Sequence, residues 1–217
     1  MNARQAILDK VREALRDVPA GDPETVSPVT WTYGQPLPTV DVLADFVAKV
    51  EDYGAVVVRT RPADLGAALA EALAQLGSER VVLPAGLPAG VVWAITAAAV
   101  QVAWDDPILS HEELNRIDTV VTTSSVGMAD SGTIALDHSA GQGRRALSLL
   151  PDRHLCLIST SQVVSDLPEG VAALSDAIRA GRPVTWLSGG SATSDIELSR
   201  VEGVHGPRTL YVLLVED

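Results

Sequence analysis

Three short stretches hold residue types that could do chemistry. The first is Ser188-Gly189-Gly190-Ser191-Ala192-Thr193-Ser194-Asp195, which follows an apolar run. Paired glycines let backbone N–H groups turn toward a ligand, Ser and Thr hydroxyls add donors, and a following helix N-terminus favours an anion. Ser194 and Glu197 also fit a capping box, so the stretch reads equally as a polar turn before a capped helix. The second is Glu202-Gly203-Val204-His205-Gly206-Pro207-Arg208, a sharp turn flanked by one titratable imidazole and one permanent cation. Its plainer reading is a surface turn whose arginine pairs with Glu202 or Asp195. The third is Asp130-Ser131-Gly132-Thr133, with Asp137 and His138 just beyond. Asp and Ser hydrogen-bond their own backbone in turns, so this is first of all a hairpin tip.

Other patterns carry less. Gly141-Gln142-Gly143-Arg144-Arg145-Ala146 matches G-x-G-x-x-A, but Pro151 follows too soon for the helix of a dinucleotide site. An anion contact through Arg144 or Arg145 is the better reading of that segment. Gly189 to Thr193 misses the last glycine of a hydrolase elbow. His111, His138, His154 and His205 show no metal-ligand spacing, and no Walker A loop is present. The single cysteine, Cys156, lies in an apolar run and reads as inert core; alone it excludes an internal disulfide, a Cys₄ zinc site and a cysteine-ligated cluster.

The elements that must position these residues follow from pattern. In 217 residues, 47% are hydrophobic and 20% charged, the composition of a globular chain that builds its own core. A net charge of −12 and only four Trp, three Tyr and one Phe argue against nucleic acid as a partner. Residues 1–17 form an amphipathic helix through Ile7, Leu8, Val11 and Leu15. Residues 18–40 are a connector with Pro19, Pro23, Pro28, Pro36 and Pro38. From residue 41 to 217 a single α/β domain is expected. Strands are predicted at 55–59, 80–83, 101–104, 119–123, 155–159, 184–187 and 209–215, and helices at 42–50, 62–76, 89–99, 110–115, 168–179 and 195–201. This alternation implies a mainly parallel sheet covered by helices on both faces, interrupted by a β-hairpin at 125–137. The uncharged stretch 81–104 is broken by Pro84, Gly86, Pro88 and Gly90 and reads as strand–helix–strand, not as a membrane span. With no apolar signal core at the N-terminus, a cytoplasmic protein is expected.

These same motifs resemble those of the LUD-domain family. Gly127-Met128-Ala129-Asp130-Ser131-Gly132-Thr133-Ile134 is similar to its ETGT-type hairpin, Gly189 to Glu197 to its glycine loop, and Gly203-Val204-His205-Gly206-Pro207-Arg208 to its GVHGPR signature. The nearest subgroup is lactate-utilisation protein C (LutC/YkgG-like). The resemblance implies a NagB/RpiA/CoA-transferase-like fold and a part in oxidising L-lactate to pyruvate beside iron–sulfur partner proteins. Three positions depart from the family pattern: Asp130 stands for Glu, Ser131 for Thr, and Ala192 for a basic residue. The motif positions give a candidate small-anion site of Asp130, Ser131, Gly132, Thr133, Gly189, Gly190, Ser191, Thr193, Ser194, Asp195, His205, Gly206 and Arg208, without assigned catalytic roles. Alternative readings are a stand-alone enzyme acting on a phosphosugar, acyl-CoA or folate, and an interaction protein that docks through its N-terminal helix.

Two geometric expectations follow. Ligands of parallel sheets gather at the carboxyl ends of strands, so the glycine loop after Leu187 should lie there. The turn at 203–208 precedes its strand and could join it only if that strand ran antiparallel; Arg208 would then supply the positive charge in the cleft. A chemical expectation also follows. The chain binds no cofactor or metal itself, and iron–sulfur clusters reside only in partners. Purified protein should therefore be colourless, and near-stoichiometric iron and sulfide by elemental analysis would overturn this.

Overall fold

The computed structural model describes residues 2–18, 36, 38–193, 201–202 and 206–217. Most of the connector expected at 18–40 lies outside these residues, as do Ser194, Asp195 and His205. Residues 1–35 and 36–217 are separate compact units. In the first, α1 (Ala3–Ala14) begins at Asn2, whose side chain accepts a hydrogen bond from the Arg4 amide. None of its residues is buried, and Ile7, Leu8 and Val11 are exposed.

The second unit is built on six parallel strands in the order β1-β12-β7-β4-β2-β3. They are β1 (Val56–Thr60), β2 (Arg80–Leu83), β3 (Gln101–Trp104), β4 (Thr119–Thr123), β7 (Arg153–Ser159) and β12 (Thr209–Val215). The central strands β4, β7 and β12 are buried along most of their length because both of their faces are covered. On one face, α3 (Leu65–Gln75) and α4 (Ala89–Ala97) bury Leu69, Leu73 and Ile95 against Val81, Val121, Leu155 and Leu213.

The other face differs from the helical cover expected. There α2 (Val42–Asp52) packs Phe46 and Val50 against Cys156, Ile158 and Val212, but a second sheet shares the work. The predicted hairpin forms as β5 (Val126–Met128) and β6 (Thr133–Leu136), both fully buried. Two short strands extend it: β8 (Val163–Val164) runs parallel to β5, and β9 (Thr185–Leu187) antiparallel to β6. A strand buried on both sides has two edges to pair, and β8 and β9 satisfy them. The helix expected over 168–179 divides into α5 (Leu167–Ala173) and α6 (Ser175–Arg179), with Leu174 between them turned into the core against Val126 and Met128. Beyond the glycine loop, β10 (Ala192–Thr193) pairs antiparallel with β11 (Val201–Glu202), so Val201 is in a strand and not at the end of a helix. The rest of the helix expected at 195–201 lies outside the described residues.

The loop at 137–146 is a brace. The Gly141 amide donates to the Ala85 carbonyl, and the Thr123 amide to the Gly141 carbonyl, which closes the carboxyl ends of β2 and β4. His138 Nδ1 lies 2.8 Å from the Gly143 carbonyl oxygen and so must carry the proton. Its Nε2 then accepts from the Thr185 hydroxyl at 2.8 Å, tying the loop to β9. Arg144 forms a two-pronged pair with Asp105, at 2.8 and 2.9 Å, and donates to the Leu109 carbonyl. Burial pushes the Asp105 carboxyl up, but hydrogen bonds from Arg144 and the Leu109 amide outweigh it and hold the group below its usual range. The arginine read as an anion contact is thus occupied. Asp105→Ala should lower the stability measured by urea unfolding by about 1–3 kcal/mol. Asp64→Ala, which breaks the exposed Arg61–Asp64 pair, should cost about 0–1 kcal/mol. Equal effects would show that burial of the Asp105 pair adds nothing.

Candidate functional site

The glycine loop and the turn before β12 meet. The Ser191 amide donates to the Pro207 carbonyl at 2.7 Å. A methyl group at Gly190 would stand 2.2 Å from the Arg208 carbonyl oxygen, so two backbones cross here with no room for a side chain. At Gly189, φ is +88°, and a methyl would meet the backbone and Cβ of Tyr53 at 2.6–2.7 Å. Close packing thus requires both glycines.

This junction lies at the amino edge of the parallel sheet, opposite to the expectation. β12 runs parallel to both its neighbours, so the condition set for the turn is not met. The turn and the loop meet because β9 belongs to the second sheet and delivers the glycine loop to the starts of β7 and β12. The hairpin tip divides. Thr133 reaches the glycine loop, its hydroxyl 2.7 Å from that of Ser188. Asp130 lines a separate cleft of about 330 Å³ with Asp45 and Lys49, and Gly132 packs on the Lys49–Val50 backbone. Ser131 contributes its carbonyl to the Thr133 hydroxyl.

Between the sheets at this junction is a cleft of about 250 Å³. Its floor includes His154 of β7 and Leu210 of β12, its roof Thr185 to Leu187 of β9, and its rim Ser148, Ser188 to Ser191, Gly206 and Pro207. Arg208 is not among the lining residues. Its guanidinium is exposed, 3.9 Å from the Asp152 carboxylate, and faces a neighbouring hollow with Arg80 and Asp118. Among the described residues its carboxylate partner is Asp152; Asp195 and the side chain of Glu202 lie outside them. Of the sequence candidates, the structure gathers Gly189, Gly190, Ser191 and Gly206 at the cleft, with Thr133 one hydroxyl away. For Thr193 it describes only the backbone, in β10.

His154 was not among the sequence candidates. Its side chain is fully buried, and Nε2 lies 2.7 Å from the Thr122 hydroxyl on β4. Nδ1 is the one buried side-chain nitrogen or oxygen among the described residues with no hydrogen-bond partner. The available signal was a histidine at the start of an otherwise apolar strand. Burial pushes its pKa down to about 4, so the ring is neutral at pH 7. Burial likewise pushes the Cys156 thiol up to about 12, which removes it as a nucleophile. The cleft can therefore offer hydroxyls, backbone amides and an uncharged imidazole; among the described lining residues it offers no permanent charge.

The depressed histidine has a stability consequence. Between its usual 6.5 and about 4, the unfolded chain takes up a proton that the native state refuses. Stability should thus fall as the pH drops through this window, by up to about 3 kcal/mol if the shift is complete. Urea unfolding from pH 7 to 4 should show this slope in the wild type and a flatter one in His154→Phe. Equal slopes would contradict the buried neutral ring.

Comparison with known proteins gives the lineage. The model of the LUD domain matches residues 43–215. The chain is 46% identical over 211 residues to "Lactate utilization protein C" of Deinococcus radiodurans, an alignment that covers 97% of this chain and 96% of the relative. It is 34% identical to "Lactate utilization protein C" of Shouchella clausii over 52% of each chain, and 32% identical to "Uncharacterized protein YkgG" of Escherichia coli over 54% of this chain and 52% of that one. A crystal structure of a DUF162 family protein from Deinococcus radiodurans superposes with a TM-score of 0.70 at 41% identity, over 83% of this chain and 99% of that one. With the α/β architecture and the motif order in agreement, the chain belongs to the LUD-domain family.

Proposed function

We propose that this protein serves lactate utilisation as an accessory subunit of an L-lactate-oxidising system, with the cleft between its two sheets as a small-ligand site. The observation that carries this reading is near full-length similarity, at 46% identity, to a protein named for lactate utilisation. Oxidation of lactate to pyruvate removes two electrons, and one cysteine cannot supply the ligands of an iron–sulfur cluster. As the family resemblance implies, this reading assigns the redox centres to iron–sulfur partner proteins and leaves binding and positioning to this chain. Among the described residues no helix is long and apolar enough to cross a membrane, which supports a cytoplasmic setting for that assembly.

The test is genetic and biochemical. Deletion of the coding sequence should abolish growth on L-lactate but not on glucose, and the wild-type gene should restore it. Tagged protein from lactate-grown cells should carry iron–sulfur proteins with it. Unimpaired growth on L-lactate after deletion would overturn the reading. So would turnover of a phosphosugar, CoA thioester or folate by the isolated chain.

A further inference from the structure

We propose that His154 is the direct contact for the ligand of the inter-sheet cleft, and that this ligand is a small organic acid bearing a hydroxyl or oxo group, hydrogen-bonded to Nδ1. The choice of an acid rests on the lactate-utilisation reading; the role of His154 rests on the structure.

One buried polar group in this cleft's lining residues is unmet. Buried side-chain nitrogens and oxygens in folded proteins almost always have partners, and an exception marks a place where something else binds. His154 Nδ1 is such an exception, in a side chain that is fully buried and lines the cleft. The opposite ring nitrogen is pinned. Nε2 lies against the Thr122 hydroxyl, which itself sits 4.0 Å from Cys156 Sγ. The hydroxyl can donate to Nε2 or accept from it, so Nδ1 can carry either a proton or a lone pair. A ligand hydroxyl can donate to the lone pair, and a ligand oxo group can accept from the proton. One site thus accommodates both a 2-hydroxy acid and the 2-oxo acid formed from it.

Size and charge narrow the class. About 250 Å³ holds a molecule of a few carbons and leaves little room for a nucleotide. A doubly charged phosphate would find no compensating cation among the described lining residues, in a chain of net charge −12. A single carboxylate needs only hydrogen-bond donors, and the backbone of Gly189 and Gly190 stands at the rim.

The experiment follows the ring nitrogens directly. Full-length protein labelled with ¹⁵N-histidine is titrated with L-lactate, pyruvate and propionate, which lacks the hydroxyl and oxo groups. A saturable shift of the His154 Nδ1 resonance with L-lactate or pyruvate, at least about tenfold weaker with propionate, is expected. His154→Phe should lose this binding, and His154→Asn, which keeps a polar atom near the position of Nδ1, should retain part of it. Should His154→Phe fail to fold, the wild-type titration and Thr122→Val still report, the latter by changing the Nδ1 resonance of the free protein. No shift at His154 with either acid, or saturable shifts confined to other residues, overturns the proposal. The lactate-utilisation reading is judged separately. A titrating His154 in a protein dispensable for growth on lactate would uphold the site and overturn the reading, and a required protein with a silent His154 would do the reverse.

Discussion

Between Gly190 and the carbonyl of Arg208 there is no space for even a methyl group, and the site depends on that closeness. The contact joins the end of one sheet to the start of the central strand of the other. It sets the height of the glycine loop above β12, and the Ser191–Pro207 hydrogen bond then fixes the register of approach. The hydroxyl pair of Thr133 and Ser188 carries the same constraint to the hairpin, and Tyr53, just past α2, carries it to Gly189. The cleft is what remains between β9 and the parallel sheet once these approaches are fixed. Its shape is a packing consequence, and the glycines that looked like ligand-binding residues are needed to form it at all.

This explains what could be read from the residues and what could not. The strands of the parallel sheet and the hairpin were legible because each is a short apolar run bounded by turn residues, and such runs have few other ways to be buried. The membership of Thr185-Trp186-Leu187 was not legible. Three residues are too short a run to favour either sheet, and the choice is made at a distance, by the open edge of β6 and by the Thr185–His138 hydrogen bond. From that one misplacement came the expectation of a site at the carboxyl edge. His154 escaped notice for a related reason. It stands just before the strand predicted at 155–159 and so reads as an end near solvent, whereas the structure buries it completely, which no local pattern records.

The charges tell a parallel story. Arg144 is taken by Asp105, Arg182 by Asp137 and Arg153 by Asp118, each pair bridging segments distant in sequence. With carboxylates in excess, a cation near one of them is most stable as a brace. Arg208 is the least engaged of the four, and it too faces Asp152 and not the cleft. An acidic chain must compensate an anion locally, yet among the described residues these four arginines face carboxylates and the cleft lining is neutral.

Recognition by neutral groups has a different character from recognition by charge. A guanidinium attracts any anion that fits, at a strength that salt weakens. A buried imidazole with one nitrogen already committed to Thr122 gives almost nothing to a ligand that cannot complete the other. A site built to hydrogen-bond a particular group can reject the analogue lacking it by factors of about 10⁴, because the protein's own polar atom is then left unpaired. Neutrality also matters for exchange between a hydroxy acid and an oxo acid. A protonated ring would favour the acceptor over the donor, whereas a ring held neutral by burial can serve both by moving its proton between two nitrogens. If His154 is the proposed contact, the burial that lowers its pKa is the same feature that would make the ring even-handed toward the two oxidation levels of one small carbon skeleton.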